Sequence, residues 1–132
     1  MTYYKKHFTL AEARAALPSL RRRILRIHEL LAEIRKKQEE AGTRTMLILR
    51  GNGKGPIISE SLGAQTLEAQ GMIEQIAAEG IQIKDLQRGL VDFPHLKDGD
   101  PEHEVLLCWL LGEDSIEFWH EIEDGFAGRT PI

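Results

Sequence analysis

The stretch that decides the fold is EVLLCWLL, Glu104 to Leu111. Its branched and aromatic residues, bounded by turn-rich sequence on either side, predict a β-strand. Successive residues of a strand point to opposite faces, and here both faces are apolar apart from the first position. We therefore expect this strand to be covered on both sides, by a helical hairpin and by a partner.

Two shorter strands are expected before it. Ile81 and Ile83 alternate with polar residues, which predicts a half-buried strand. A second strand spans Leu90 to Phe93 and is expected to stop at Pro94, because proline donates no ladder hydrogen bond. Together with EVLLCWLL they predict a small, mostly antiparallel three-stranded sheet.

The C-terminal segment is predicted to be helical. Asp114 or Ser115 would cap a short helix that runs to about Asp124 and ends at Gly125. The remaining residues, 126–132, form a tail.

The N-terminal part of the chain predicts helices. Thr9 and Glu12 form a capping box that opens a short helix, about Leu10 to Leu17. Pro18 is expected to break that helix and to begin a second, long one that continues to about Arg50.

The long helix carries a narrow apolar seam that is typical of helix–helix packing. A third helix, about Glu60 to Glu79, has acidic but no basic side chains and is expected to return antiparallel to the basic one. The seam residues follow a 4-3 spacing: Leu20, Ile24, Ile27, Leu31 and Ile34.

Charge is distributed unevenly along the chain. The first 50 residues carry 12 basic and 5 acidic side chains, and the other 82 carry 5 and 16. We interpret this as attraction between the two halves, within one chain or in a homodimer. Nucleic-acid binding is disfavoured, because the acidic half would repel phosphates and no aromatic residue accompanies the basic run Arg21–Arg23.

Composition limits the setting of the protein. The single cysteine, Cys108, forms no internal disulfide, which favours the cytoplasm. No apolar run approaches the roughly 20 residues of a membrane span. Gly51 to Pro56 lacks the Lys-Ser/Thr ending of a phosphate-binding loop, and no nucleotide or flavin motif is present.

These patterns predict an α+β fold in a single domain, residues 1–132. A long antiparallel helical hairpin, residues 10–80, would pack on the three-stranded sheet, and a short C-terminal helix would close the fold within residues 81–132.

Several motifs are similar to those of a family of bacterial and archaeal proteins catalogued as domain of unknown function 2203. They are Phe8–Ala13, Ile83–Pro94, Val105–Glu113, Phe118–Glu121 and Gly125–Ile132. The resemblance covers nearly the whole chain and implies one cytoplasmic domain. It implies no activity, cofactor or substrate.

A charged stripe in the C-terminal segment is the first candidate site. On a helix, Glu117 and His120 would project together as a Glu-x-x-His pair, like the ligand pairs of di-iron bundles. The whole stripe is Glu117, His120, Glu121 and Asp124. A homodimer would have to supply the second pair. The alternative interpretation is a hydrated helix face opposite buried Ile116 and Trp119.

The second candidate is a nucleophilic thiol. His120 could approach Cys108 and act as its base. The alternative is that Cys108 is a small buried apolar residue, as its leucine neighbours suggest.

The third candidate is a set of acidic and basic residues near the tail. Asp92 interrupts an apolar strand, so a buried carboxylate there needs a partner, and Arg88 or Arg129 would suit it. The set is either an ion-pair network that pins the tail or an anion or metal pocket beneath it. Its members are Asp85, Arg88, Asp92, Glu113 and Arg129.

Two functional hypotheses follow. The first is a non-enzymatic, self-associating scaffold protein, a cytoplasmic homodimer. The alternative is a small metal- or anion-binding enzyme that uses a divalent metal ion and has its site near His120 and the tail. Its candidate catalytic residues are Asp92, Cys108, His120 and Arg129.

Overall fold

The computed structural model describes residues 2–40 and 60–132, and their fold is α+β. They fall into two compact units, Met1–Arg21 with Ile76–Ile132, and Arg22–Gln75. Two α-helices and five β-strands follow in chain order: α1 Leu10–Glu40, α2 Glu60–Ala78, β1 Gln82–Asp85, β2 Leu90–Leu96, β3 Glu104–Leu110, β4 Phe118–Glu121 and β5 Thr130–Pro131.

The first unit contains an antiparallel sheet in the order β1-β2-β3-β4-β5. The prediction of three strands is therefore wrong, and so is that of a C-terminal helix, because β4 and β5 occupy this segment. β4 pairs with β3 through residues Val105 to Cys108. Phe118 and Trp119 have high strand propensity, and this pairing satisfies the backbone of β3 on its second edge.

The sheet has two distinct faces. The helix face carries Phe93 and Trp109, which meet the segment that leads into and begins α1. The ring of Phe8 lies 5.2 Å from that of Phe93, and the Arg21 guanidinium lies 5.6 Å from the Trp109 ring. The other face, called the site face below, carries Asp92, Leu106, Cys108 and His120.

The predicted break at Pro18 is wrong, because α1 continues through it. Proline has no amide proton to give to the carbonyl four residues earlier. Leu17, Leu20 and Ile24 are buried around this point. Burial of these side chains offsets the missing hydrogen bond.

Pro94 does not end β2, which runs on to Leu96. β1 pairs only with Leu90 to Asp92, so Pro94 lies beyond its reach. The Pro94 carbonyl accepts a hydrogen bond from the Phe8 amide, which shows that the backbone polar groups of Pro94 face away from β3. The ladder between β2 and β3 therefore loses no donor.

The second unit consists of the rest of α1 and most of α2. Arg26 pairs with Glu68, and Gln65 donates a hydrogen bond to Glu33, so the two helices run in opposite directions. The apolar seam differs at one position from its prediction, since Leu30 rather than Leu31 is buried with Ile24, Ile27 and Ile34.

Four further predictions concern the end of the long helix, the loop after it, the packing of the hairpin and the number of domains. The helix extension to Arg50 and the segment Gly51 to Pro56 lie outside the described residues. The packing of the helical hairpin on the sheet and the single domain remain predictions. Within residues 2–40 and 60–132, no helix has the length and apolarity to cross a bilayer.

Candidate functional site

Three polar side chains converge on the site face from three adjacent strands. Asp92 of β2 lies directly opposite Cys108 of β3, and His120 of β4 lies opposite Leu106, one same-face position further along β3. All three are buried, with 2%, 1% and 3% of their surface exposed. Their ligand atoms lie within 4.8 Å of one another.

The orientation of the His120 ring is fixed at both nitrogens. Nδ1 lies 2.7 Å from the Glu121 carbonyl oxygen, which can only accept, so Nδ1 donates a proton there. Nε2 lies 3.1 Å from each carboxylate oxygen of Asp92. Because the backbone occupies Nδ1, Nε2 is the nitrogen available to both Asp92 and Cys108.

A proton must lie between Nε2 and the Asp92 carboxylate. If both were unprotonated, two acceptors would face each other at hydrogen-bond distance. Hydrogen bonding to Asp92, and secondarily to Cys108, raises the pKa of His120 to about 10 in spite of its burial. In the metal-free protein His120 is therefore an imidazolium at neutral pH, and a metal cation is the other species that fits this position.

A cavity of about 280 Å³ opens beside the cluster. Asp92, Cys108 and His120 all line it, so a ligand in the cavity would meet all three. The other lining residues include Lys84 and apolar residues of the strands and of the segment that leads into the tail: Leu90, Leu106, Ile122 and Phe126.

Arg129 borders the cluster without entering the cavity wall. Its Nη2 donates to the Cys108 carbonyl oxygen at 3.3 Å, and its two Nη atoms bind Glu113 as a fork at 2.6 and 2.9 Å. Burial acts to lower the pKa of Arg129, but its interactions with Glu113 and with Cys108 raise it overall. Burial likewise acts to raise the pKa of Glu113, but the hydrogen bonds from Arg129 and from the Leu110 amide, with the positive charge of Arg129, together lower it.

The structure brings together the four predicted catalytic candidates but separates the predicted metal ligands. Glu117 is exposed just before β4, and the carboxylate of Glu121 contacts His103 at 2.9 Å. Both predictions for this segment, a di-iron-like stripe and a hydrated helix face, fail for one reason. In an extended chain, residues three apart point to opposite sides, and His120 alone of the three is buried.

The predicted partners of Asp92 are also wrong. Its partner is His120, whereas Arg129 binds Glu113, and Asp85 accepts a hydrogen bond from the backbone amide of Arg88. The interpretation of Cys108 as a buried residue agrees with its burial, yet its neighbours on the site face are polar as well as apolar.

Sequence reasoning missed Lys84, Ile122 and the two aromatic residues around Arg129. The guanidinium carbon lies 4.2 Å from the centre of the Phe118 ring and 4.7 Å from that of Phe126. One signal was available: period-two alternation would have placed the side chains of Phe118, His120 and Ile122 on one face of a strand.

The geometry distinguishes two kinds of chemistry. In a Cys–His–Asp triad, cysteine and aspartate bind opposite nitrogens of the imidazole, which relays a proton between them. Here Nδ1 is engaged by the backbone, and the carboxylate and the thiol converge on the other side of the ring. One sulfur, one nitrogen and one oxygen donor that converge in this way could hold a metal ion.

The chain was compared with families and with known proteins. The model of the family described as "Uncharacterized conserved protein (DUF2203)" matches residues 6–132. The chain belongs to this family. The match confirms the resemblance inferred from the sequence motifs, and the family has no assigned function. No curated protein and no solved structure is significantly similar to the chain.

Proposed function

We propose that the protein holds one divalent transition-metal ion, of the zinc class, on Asp92, Cys108 and His120. The observation that carries this proposal is the convergence of three buried donor atoms, from three strands, within 4.8 Å. Among residues 2–40 and 60–132 this is the one group of histidine, cysteine and carboxylate side chains with such an arrangement.

The donor set suits zinc. Bond lengths of about 2.0–2.3 Å in a tetrahedral site require ligand atoms about 3.3–3.7 Å apart. Nε2 and the Asp92 oxygens are 3.1 Å apart, so this pair needs little movement, and the Cys108 sulfur, within 4.8 Å of both, would move closer to bind the ion. The Nδ1 bond to the Glu121 carbonyl supplies the outer hydrogen bond that metal-binding histidines usually make, and it leaves the Nε2 lone pair for the ion.

The site fits an enzyme better than a structural metal centre. Structural zinc sites have four protein ligands, whereas catalytic sites have three and an open position. The three ligands line the cavity, so the open position of the ion would face it, where water or a small substrate could bind. We therefore favour metal-dependent chemistry on a small molecule.

Isothermal titration of chelator-treated protein with Zn²⁺ tests the proposal. We expect one ion per chain. Cys108→Ser should weaken binding by more than about 100-fold, since even outer-shell changes cost 10–100-fold. Glu117→Gln, which alters a carboxylate outside the cluster, should bind as the wild type does. Equal binding by the Cys108 and Glu117 variants would refute the assignment.

A self-associating cytoplasmic scaffold is the second candidate. Two leucines of the helical unit are exposed, Leu25 at 47% and Leu67 at 66%, and a homodimer contact would bury such side chains. The proposal carries with it one domain in the cytoplasm and no nucleic-acid partner. Light scattering of the wild type and of Leu67→Glu tests it: a monomeric wild type at micromolar concentration would contradict it.

A further inference from the structure

We infer that Arg129 is a positioning residue of the metal centre, whose guanidinium reduces electron donation from the Cys108 thiolate to the bound ion. The inference rests on the proposed function, because it concerns the sulfur ligand of the same ion. The ion pair between Arg129 and Glu113 would then do more than hold the C-terminal tail in place.

The guanidinium is held against Cys108 by independent contacts. Its Nη2 donates to the Cys108 carbonyl oxygen, and the fork to Glu113 prevents rotation of the group. The rings of Phe118 and Phe126 lie against it, at 4.2 and 4.7 Å from its central carbon. Only 11% of the side chain is exposed, so water screens its charge weakly.

Two further observations connect the cation to the sulfur. Phe118 lies directly opposite Cys108 in the β3–β4 pairing, so their side chains share the site face, and the guanidinium lies 4.2 Å from the Phe118 ring on that face. In addition, Nε of Arg129 is buried and has no hydrogen-bond partner among the described residues. A buried donor without a partner is unfavourable, and a cation that only pinned the tail would not require it.

The electronic consequence follows from the charge. A fixed cation beside a metal thiolate stabilises the negative charge on sulfur and lowers the energy of the sulfur donor orbitals. The ion then receives less electron density and becomes a stronger Lewis acid toward a ligand in the cavity.

Cobalt-substituted full-length protein makes this effect visible as the thiolate-to-Co²⁺ charge-transfer band in the near ultraviolet. Arg129→Met removes the cation and should move the band to longer wavelength. Glu113→Gln breaks the same ion pair but leaves the guanidinium uncompensated, so it should move the band to shorter wavelength. Arg129→Lys retains a charge and should restore most of the wild-type position.

The outcomes separate this inference from the proposed function. Absence of a band in the wild type, or its persistence in Cys108→Ser, would overturn the metal site itself. A Cys108-dependent band that does not move, or that moves in the same direction in Arg129→Met and Glu113→Gln, would overturn only the role of Arg129. If Arg129→Met does not fold, the shift in Glu113→Gln alone decides the result.

Discussion

Alkaline pH should destabilise the metal-free protein through the buried pair of Asp92 and His120. The pKa of His120 rises from 6.5 to about 10 in the folded state. Because it is raised, its contribution to stability is fully present below pH 6.5 and is lost as the pH rises through 10. At about 1.36 kcal/mol per pKa unit, the contribution is about 4 kcal/mol at pH 7 and about 1 kcal/mol at pH 9.

Urea unfolding in the presence of a chelator measures this difference. Asp92→Asn retains the size of the side chain but removes its charge, and it should cost about 3–5 kcal/mol at pH 7, the usual cost of breaking a buried ion pair. The gap between wild type and variant should shrink by about 3 kcal/mol between pH 7 and pH 9.

A matched control is available on the surface. Glu121→Gln removes the carboxylate from a second histidine–carboxylate pair, with His103, whose side chains are partly exposed. It should cost less than about 1 kcal/mol at either pH. If the gap between wild type and Asp92→Asn were the same at pH 7 and pH 9, the buried histidine would not carry the proton, and the reasoning about its charge would be refuted.

Three further predictions concern the ion and the backbone. Zinc binding must displace the Nε2 proton of His120, so the affinity for zinc should rise at least about tenfold per pH unit between pH 6 and 8. Titrations in buffers of different ionisation enthalpy should show that one or more protons are released for each zinc ion bound. Binding without proton release would contradict the ligand assignment. Pro18→Ala restores an amide donor inside α1 and should raise the free energy of unfolding by about 1–3 kcal/mol in urea, while unchanged or lower stability would show that the helix depends on the proline. Gly89→Ala should cost about 1–3 kcal/mol, because φ is +70° and a Cβ would lie 2.5 Å from that of Leu111. Gly99→Ala, at φ +73° in open space, should cost less, and equal losses would exclude the steric contribution.

Local signals predicted several elements correctly. The capping box at the start of α1 is present, since Thr9 and Glu12 each accept a hydrogen bond from the other's backbone amide, at 2.8 and 3.1 Å. The bounds of α2 and of β3 also agree closely with their predictions. In these segments propensity, capping and burial all favour the same structure, so the sequence alone suffices.

The errors arose where long-range pairing decides the structure. Charged residues from Glu117 to Asp124 fit a helical stripe, yet the open edge of β3 draws Phe118 to Glu121 into the sheet. The same error concealed the candidate site, because on a helix His120 faces solvent and on β4 it faces Asp92. Pro18 and Pro94 were both expected to end an element because proline lacks an amide proton. Burial of the neighbouring side chains compensates for this at Pro18, and the strand register does so at Pro94.

Part of the candidate site was nonetheless accessible. Asp92 in an apolar strand indicated a buried carboxylate that needs a partner, and Cys108 was assigned to a buried strand. Their direct opposition follows from the β2–β3 register, which the short turn signals between the strands did not determine. The positions of Phe118 and Phe126 around Arg129 depend on the path of the tail, for which the sequence carries no periodic signal.

X-ray absorption at the zinc K-edge tests the central claim most directly, because it identifies the donor atoms. The account predicts one sulfur at about 2.3 Å and nitrogen or oxygen donors at about 2.0–2.2 Å, with the sulfur shell lost in Cys108→Ser. A zinc ion surrounded only by nitrogen and oxygen in the wild-type protein would contradict it.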